Sequence, residues 1–154
     1  MASRGVTDCS TTKVIRWPCE VFSYTRGLAP TGGQPKMDLT GRGRILVYGP
    51  FQELEPGKWR IEVEFDLDPE GGEIFLRFEW GGGLAFETFR TRCSRAGRYR
   101  VAVSNAWSDA RPVELRIWVD RATLFGSMEM LGATVRRIAE NTQIEDSGAG
   151  QNPR

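Results

Sequence analysis

The sequence predicts an all-β fold: a two-sheet antiparallel β-sandwich, a jelly roll of about eight strands. Three observations carry this. Apolar and polar residues alternate with a period of two through the middle of the chain. Turn chemistry built from glycine, proline and aspartate recurs roughly every 8–15 residues. No helical period is sustained. The strands are half polar rather than wholly apolar, so each sheet has one wet face and pairs antiparallel. A closed barrel is the alternative.

The elements follow in order. Trp17, Phe22 and Tyr24 suggest an N-terminal strand packed on the core. Arg44 to Tyr48 reads as a strand ended by Gly49-Pro50, because proline cannot donate to a β-ladder. Tyr48 and Phe51 then flank a corner. Pro56-Gly57 fits a type II turn that begins a hairpin. Trp59, Ile61, Val63 and Phe65 point one way, and Arg60, Glu62, Glu64 and Asp66 the other. After the turn Asp68-Pro69-Glu70-Gly71-Gly72, Ile74, Leu76, Phe78 and Trp80 alternate with Glu73, Phe75, Arg77 and Glu79. Gly81-Gly82-Gly83 turns the chain into a strand over Leu84–Arg90. Tyr99, Val101 and Val103 share a face of the next strand. Val113, Leu115, Ile117 and Val119 alternate with Glu114, Arg116, Trp118 and Asp120. Phe125 to Ile138 closes the fold as two strands, or as one broken at Gly132.

Composition divides the chain into three. Residues 1–41, rich in Ser, Thr, Gly and Pro, are expected to add one or two short strands packed on the core. Residues 42–139 form the sandwich, and residues 140–154 read as a mobile polar tail. Residues 1–19 lack an apolar stretch of leader length, and no segment reaches the ~20 apolar residues of a membrane helix. A soluble cytoplasmic protein is the expectation. The net charge of +1 points to neither nucleic acid nor an anionic membrane.

The chain contains no histidine, which removes histidine-based nucleophilic catalysis and histidine-bound zinc. Cys9, Cys19 and Cys93 are odd in number and form no C-x-x-C pair, so they read as free thiols, although a hairpin could join Cys9 to Cys19. Neither a cofactor nor a catalytic constellation is expected.

The stretch Leu39–Phe51, with its Tyr48-Gly49-Pro50 turn, and the following Leu54-x-Pro56-Gly57-x-Trp59 resemble the core of jelly-roll accessory domains in bacterial proteins. Pro112–Val119 is similar to the penultimate strands of such domains. The resemblance covers about residues 39–138. It implies a sandwich similar to carbohydrate-binding modules, often found beside enzymes of surface-polysaccharide metabolism, and it supplies no catalytic residues.

The candidate ligand-binding residues come from the alternation. Phe75 and Trp118 fall opposite their apolar rows, on a wet face shared with Arg77, Glu79, Glu114 and Arg116. A ring on such a face can stack on the C–H groups of a sugar while charged neighbours bond its hydroxyls. The same rings could instead be covered by residues 1–41 or by a protein partner or second copy of the chain. Trp107, in the segment Asn105–Asp109 read as a loop, is either a binding residue or a plug for the sandwich end.

Other patterns have plainer readings. Glu62 with Glu64, and Glu73 with Glu79, are carboxylate pairs of the kind glycoside hydrolysis uses, but charged strand faces account for them. Asp66-x-Asp68-x-Glu70-Gly71 opens like an EF-hand loop and fails at its twelfth position, Arg77. A calcium site of another kind on Asp66, Asp68, Glu70 and Glu73 stays open beside an acidic hairpin turn. Arg90, Arg92, Arg95, Arg98 and Arg100 read as a solvated basic hairpin around Cys93.

Overall fold

The computed structural model describes residues 13–25 and 36–139. Ten strands occur among them: β1 (Val14–Pro18), β2 (Ser23–Tyr24), β3 (Lys36–Asp38), β4 (Arg44–Leu54), β5 (Gly57–Asp68), β6 (Ile74–Gly82), β7 (Ala85–Cys93), β8 (Gly97–Trp107), β9 (Arg111–Val119) and β10 (Ser127–Ile138). A 3-10 turn over Cys19–Val21 separates β1 from β2. The first sheet runs β1-β10-β5-β8, with β3 also paired to β10; the second runs β2-β4-β9-β6-β7. All pairings are antiparallel.

This is a two-sheet jelly roll. Every connection between successive strands crosses from one sheet to the other, except the hairpin joining β6 to β7. Because β8 ends one sheet and β7 ends the other, no barrel closes. Three turns that read as hairpins in the sequence are therefore corners between sheets. Pro56-Gly57 carries β4 into β5, residues 69–73 carry β5 into β6, and residues 94–96 carry β7 into β8. Turn chemistry reports a reversal of the chain but not whether the next strand pairs with the last or faces it. Among the described residues only β6 and β7 make a hairpin, and its turn is Gly83-Leu84, since Gly81 and Gly82 still pair within β6.

The alternating rows meet in one core. Trp59, Ile61, Val63 and Phe65 of β5 face Ile74, Leu76, Phe78 and Trp80 of β6, and Val113, Leu115, Ile117 and Val119 of β9 complete the layer. Each such side chain contributes roughly 1.5–3 kcal/mol by leaving water. Trp17 and Phe22 join this core from the N-terminal elements.

Two strands depart from strict alternation, for a physical reason. Along β10 the buried residues are Met128 and Met130, then Ala133 and Val135. A register shift between Met130 and Gly132 inserts one residue and changes the parity of everything after it. The sequence break at Gly132 is thus a bulge within one continuous strand. Along β4 there are two shifts, at Ile45/Val47 and Pro50/Gln52. The strand runs through Gly49-Pro50 rather than ending there, and Pro50 sits beside a bulge, where a missing donor is tolerated. Phe51, the extra residue, has a φ of 63° and is exposed.

The N-terminal elements are held by side-chain bonds. Trp17 Nε1 donates to Gln52 Oε1 at 2.8 Å, and the Tyr24 hydroxyl donates to the Cys19 carbonyl at 2.5 Å. Burial, reinforced by nearby Cys19 and Glu20, pushes the Tyr24 hydroxyl above the ordinary phenol range. The folded state thus favours the neutral phenol. Its contribution is whole below pH ~10, the unfolded value, and is lost as pH rises toward the higher folded value. Tyr24→Phe is expected to lower stability by about 1 kcal/mol near pH 8 through the lost hydrogen bond. It should also flatten part of the wild-type decline above pH 10. Urea midpoints from pH 8 to 11 check both, and an unchanged alkaline slope would count against the assignment.

Cys19 and Cys93 are free and buried, and burial raises both thiols above their usual range. Cys9 and the tail residues 140–154 lie outside the described residues.

Candidate functional site

Six of the seven candidate residues fall on the outer face of the second sheet. The pairing of β9 with β6 sets Trp118 opposite Arg77, Arg116 opposite Glu79, and Glu114 opposite Gly81. On the other side, β4 sets Ile45 beside Trp118, Tyr48 beside Arg116 and Pro50 beside Glu114. Phe75 lies at the start of β6, opposite Arg92 of β7. The Asp120 backbone N–H donates to its carbonyl at 2.8 Å. The face exists because β9 and β6 both follow strict period two, so their polar-phase residues all emerge on one side.

The rings on this face carry guanidinium groups. Arg77 Cζ stands 4.7 Å from the Trp118 ring centroid, Arg121 stands 4.1 Å over Phe75, and Arg116 stands 4.1 Å over Phe86 of β7. Such contacts are worth about 0.5–1 kcal/mol each at exposed sites. Asp120 ties the cluster together. Its carboxylate reaches Arg77 Nε at 3.1 Å, as an ion pair not aligned as a hydrogen bond, and Arg90 Nε at 3.3 Å. Arg116 Nη2 lies 2.6 Å from Glu114 Oε1, and Glu114 is only 5% exposed. Glu79 and Phe75 are half-buried, and Glu79 has no ion-pair partner among the described residues.

Trp118 is itself half-buried. Its indole N–H is shielded from water and has no hydrogen-bond partner. An unsatisfied donor of this kind costs about 1–3 kcal/mol, so an acceptor that reached it would bind with that gain.

Trp107 lies elsewhere, and the loop expectation for it is corrected. It is the last residue of β8 and is 7% exposed. Its ring stacks on Trp59 at 6.4 Å and meets Trp80 edge-on at 5.9 Å, while its N–H donates to the Glu55 carbonyl. It plugs the sandwich end because β8 extends further than the alternation of Tyr99, Val101 and Val103 alone marks out. One side of it borders a shallow depression between Pro56, Ala85 and Arg111, off the Trp118 face.

Tyr48, Phe86, Asp120 and Arg121 join the face without having been candidates. The two bulges in β4 hide the outward phase of Tyr48. Asp120 continues the polar phase of Glu114, Arg116 and Trp118 just past the end of β9, and Arg121 beyond it carries no periodic signal.

The other candidate clusters disperse. Arg98 holds Asp66 through two hydrogen bonds of 2.9 and 3.2 Å, which keep that carboxyl below its usual range. Asp68 accepts from the Glu70 backbone N–H, and Glu73 pairs with Arg92. Among the described residues no three acidic or thiol groups converge to hold a metal ion. Of the five arginines around Cys93, Arg95 lies in the corner at 94–96 and the other four split between the sheets. Arg90 and Arg92 stand on β7, whereas Arg98 and Arg100 stand on β8, paired with Asp66 and Glu64.

No family model matches the chain, and no curated protein matches it. Among solved structures, it is similar to dimeric latent PorU from Porphyromonas gingivalis, at 11% identity and a TM-score of 0.49, covering 82% of this chain and 12% of that one. A second similar structure is a Family 16 Carbohydrate Binding Module-2, at 13% identity and a TM-score of 0.43, covering 65% of this chain and 73% of that one. A third is TmCBM61, solved in complex with β-1,4-galactotriose, at 8% identity and a TM-score of 0.47, covering 84% of this chain and 90% of that one.

Proposed function

We propose that this chain is a non-catalytic β-sandwich module that binds carbohydrate on the outer face of its second sheet. One observation carries the reading. Trp118 lies on that face with an unsatisfied N–H, between the Arg77 guanidinium and the Arg116–Glu79 pair of strand neighbours. A sugar ring replacing Arg77 over the indole would stack through its C–H groups. Its hydroxyls would accept from the indole N–H and donate to Glu79, which has no ion-pair partner among the described residues.

A glycan array followed by calorimetric titration tests this. The wild-type protein is expected to bind at least one glycan, and Trp118→Ala to weaken that binding at least tenfold. Its stability should change by less than about 1 kcal/mol, because the ring is only partly buried. An array with no response would overturn the proposal, as would unchanged affinity in the variant.

A second reading, a subunit that docks a protein or a second copy of itself, is favoured by adjacent Leu124 and Phe125, which are 79% and 61% exposed. That reading expects a silent array together with an oligomer by light scattering.

A further inference from the structure

The outer face of the first sheet carries a groove of its own, of about 350 Å³. This lies within the ~300–1,000 Å³ usual for ligand sites. Its floor is Leu131 to Thr134 of β10, at the bulge. Gly132 has a φ of 144°, and a Cβ there would meet the Trp17 carbonyl at 3.0 Å. The close approach of β1 thus demands a residue with no side chain, which leaves the floor low.

Along one bank stand Glu62 and Glu64 of β5. Each holds an arginine loosely, Arg60 at 3.6 Å and Arg100 at 3.9 Å. On the other bank stand Arg16 of β1 and Arg136 of β10. Val14 pairs with Arg136 and Arg16 with Thr134, so the two arginines are diagonal neighbours on one face, about 7–8 Å apart. Neither makes an ion pair among the described residues. Most of the other arginines on the two sheet faces are paired, so these two like charges side by side are unusual on this molecule.

We propose that this groove binds a uronic-acid-containing polysaccharide, at a site separate from the Trp118 face. Arg16 and Arg136 fork onto a sugar carboxylate, which charge-assisted bidentate bonds favour. Glu62 and Glu64 keep lone pairs free to accept from sugar hydroxyls. Glu62, Glu64 and Asp66 offset Arg60, Arg100 and Arg98 in turn, so the uncompensated positive charge along this groove is confined to Arg16 and Arg136. One carboxylate per sugar suits the groove, and many sulfates do not.

Titration of the full chain with polygalacturonate, its fully methyl-esterified form and dextran sulfate, a densely sulfated chain with no carboxylate, tests this. Polygalacturonate is expected to bind, more weakly as salt rises. The methyl ester, which keeps the backbone and loses the charge, should bind at least tenfold less. Arg16→Gln/Arg136→Gln should lower polygalacturonate affinity at least tenfold with an unchanged melting temperature, since both side chains are exposed. The double variant should still bind the glycan that Trp118→Ala weakens, which separates this site from the other face. The proposal is overturned by equal binding of acid and ester, by tighter binding of dextran sulfate, by an unaffected double variant, or by no response to polygalacturonate.

Discussion

Replacing Trp80 by alanine is expected to cost about 5 kcal/mol, the upper end of the ~3–5 kcal/mol range for buried aromatic truncations. The side chain is fully buried on β6, yet it touches the opposite sheet at three places. It meets Trp17 edge-on at 5.7 Å and Trp107 edge-on at 5.9 Å. Its indole N–H donates to the Trp59 carbonyl at 3.2 Å. One residue therefore ties β1, β5 and β8 to the second sheet. Truncation removes the ring's burial, two aromatic contacts of ~0.5–1.5 kcal/mol each, and the partner of a buried carbonyl. Against a typical stability of ~5–15 kcal/mol, this leaves little. Trp80→Phe keeps part of the ring and should lose roughly half as much. Urea denaturation measures both, and a loss below about 2 kcal/mol for Trp80→Ala would show that the sheets are held chiefly elsewhere. Trp118→Ala, one strand away but on the outer face, is the control that should barely move the midpoint.

That contrast between two tryptophans is legible in the amino-acid sequence itself, because period two assigns Trp80 and Trp118 to opposite phases of their strands. The same logic finds six residues of the candidate face, since β6 and β9 hold their phase from end to end. It fails where the phase slips. Bulges in β4 and β10 each reset the alternation, and neither Tyr48 nor the groove at Gly132 can be placed without knowing where. It fails again at strand ends. Trp107 reads as a loop residue because Asn105 and Ser108 look like turn chemistry, whereas β8 runs on and buries the ring under Glu55. Sheet membership is hidden as well, because the corners at Pro56-Gly57 and at 69–73 use the same residues as hairpins.

The buried pair on the candidate face should give the second large effect. Glu114 is 5% exposed, and its carboxylate lies 2.6 Å from Arg116 Nη2. A carboxylate so enclosed is tolerable only with its counter-charge. Arg116→Met removes that charge and the guanidinium over Phe86. Because a third of the arginine side chain remains in water, the loss is expected below the ~3–5 kcal/mol of a wholly buried pair, at about 2–3 kcal/mol. Glu114→Gln should cost about 1 kcal/mol, since it keeps the shape and one acceptor. The double variant Glu114→Gln/Arg116→Met should return to within about 1 kcal/mol of wild type, because replacing both members leaves no stranded charge. The coupling energy read from this cycle is then about 2 kcal/mol. Near-additive losses would mean that water, not Arg116, stabilises the carboxylate. The double variant also separates structure from function on this face. If it folds as expected but no longer binds the glycan that wild type binds, Arg116 or Glu114 touches the ligand. If it binds unchanged, the pair only shapes the platform on which Trp118 lies.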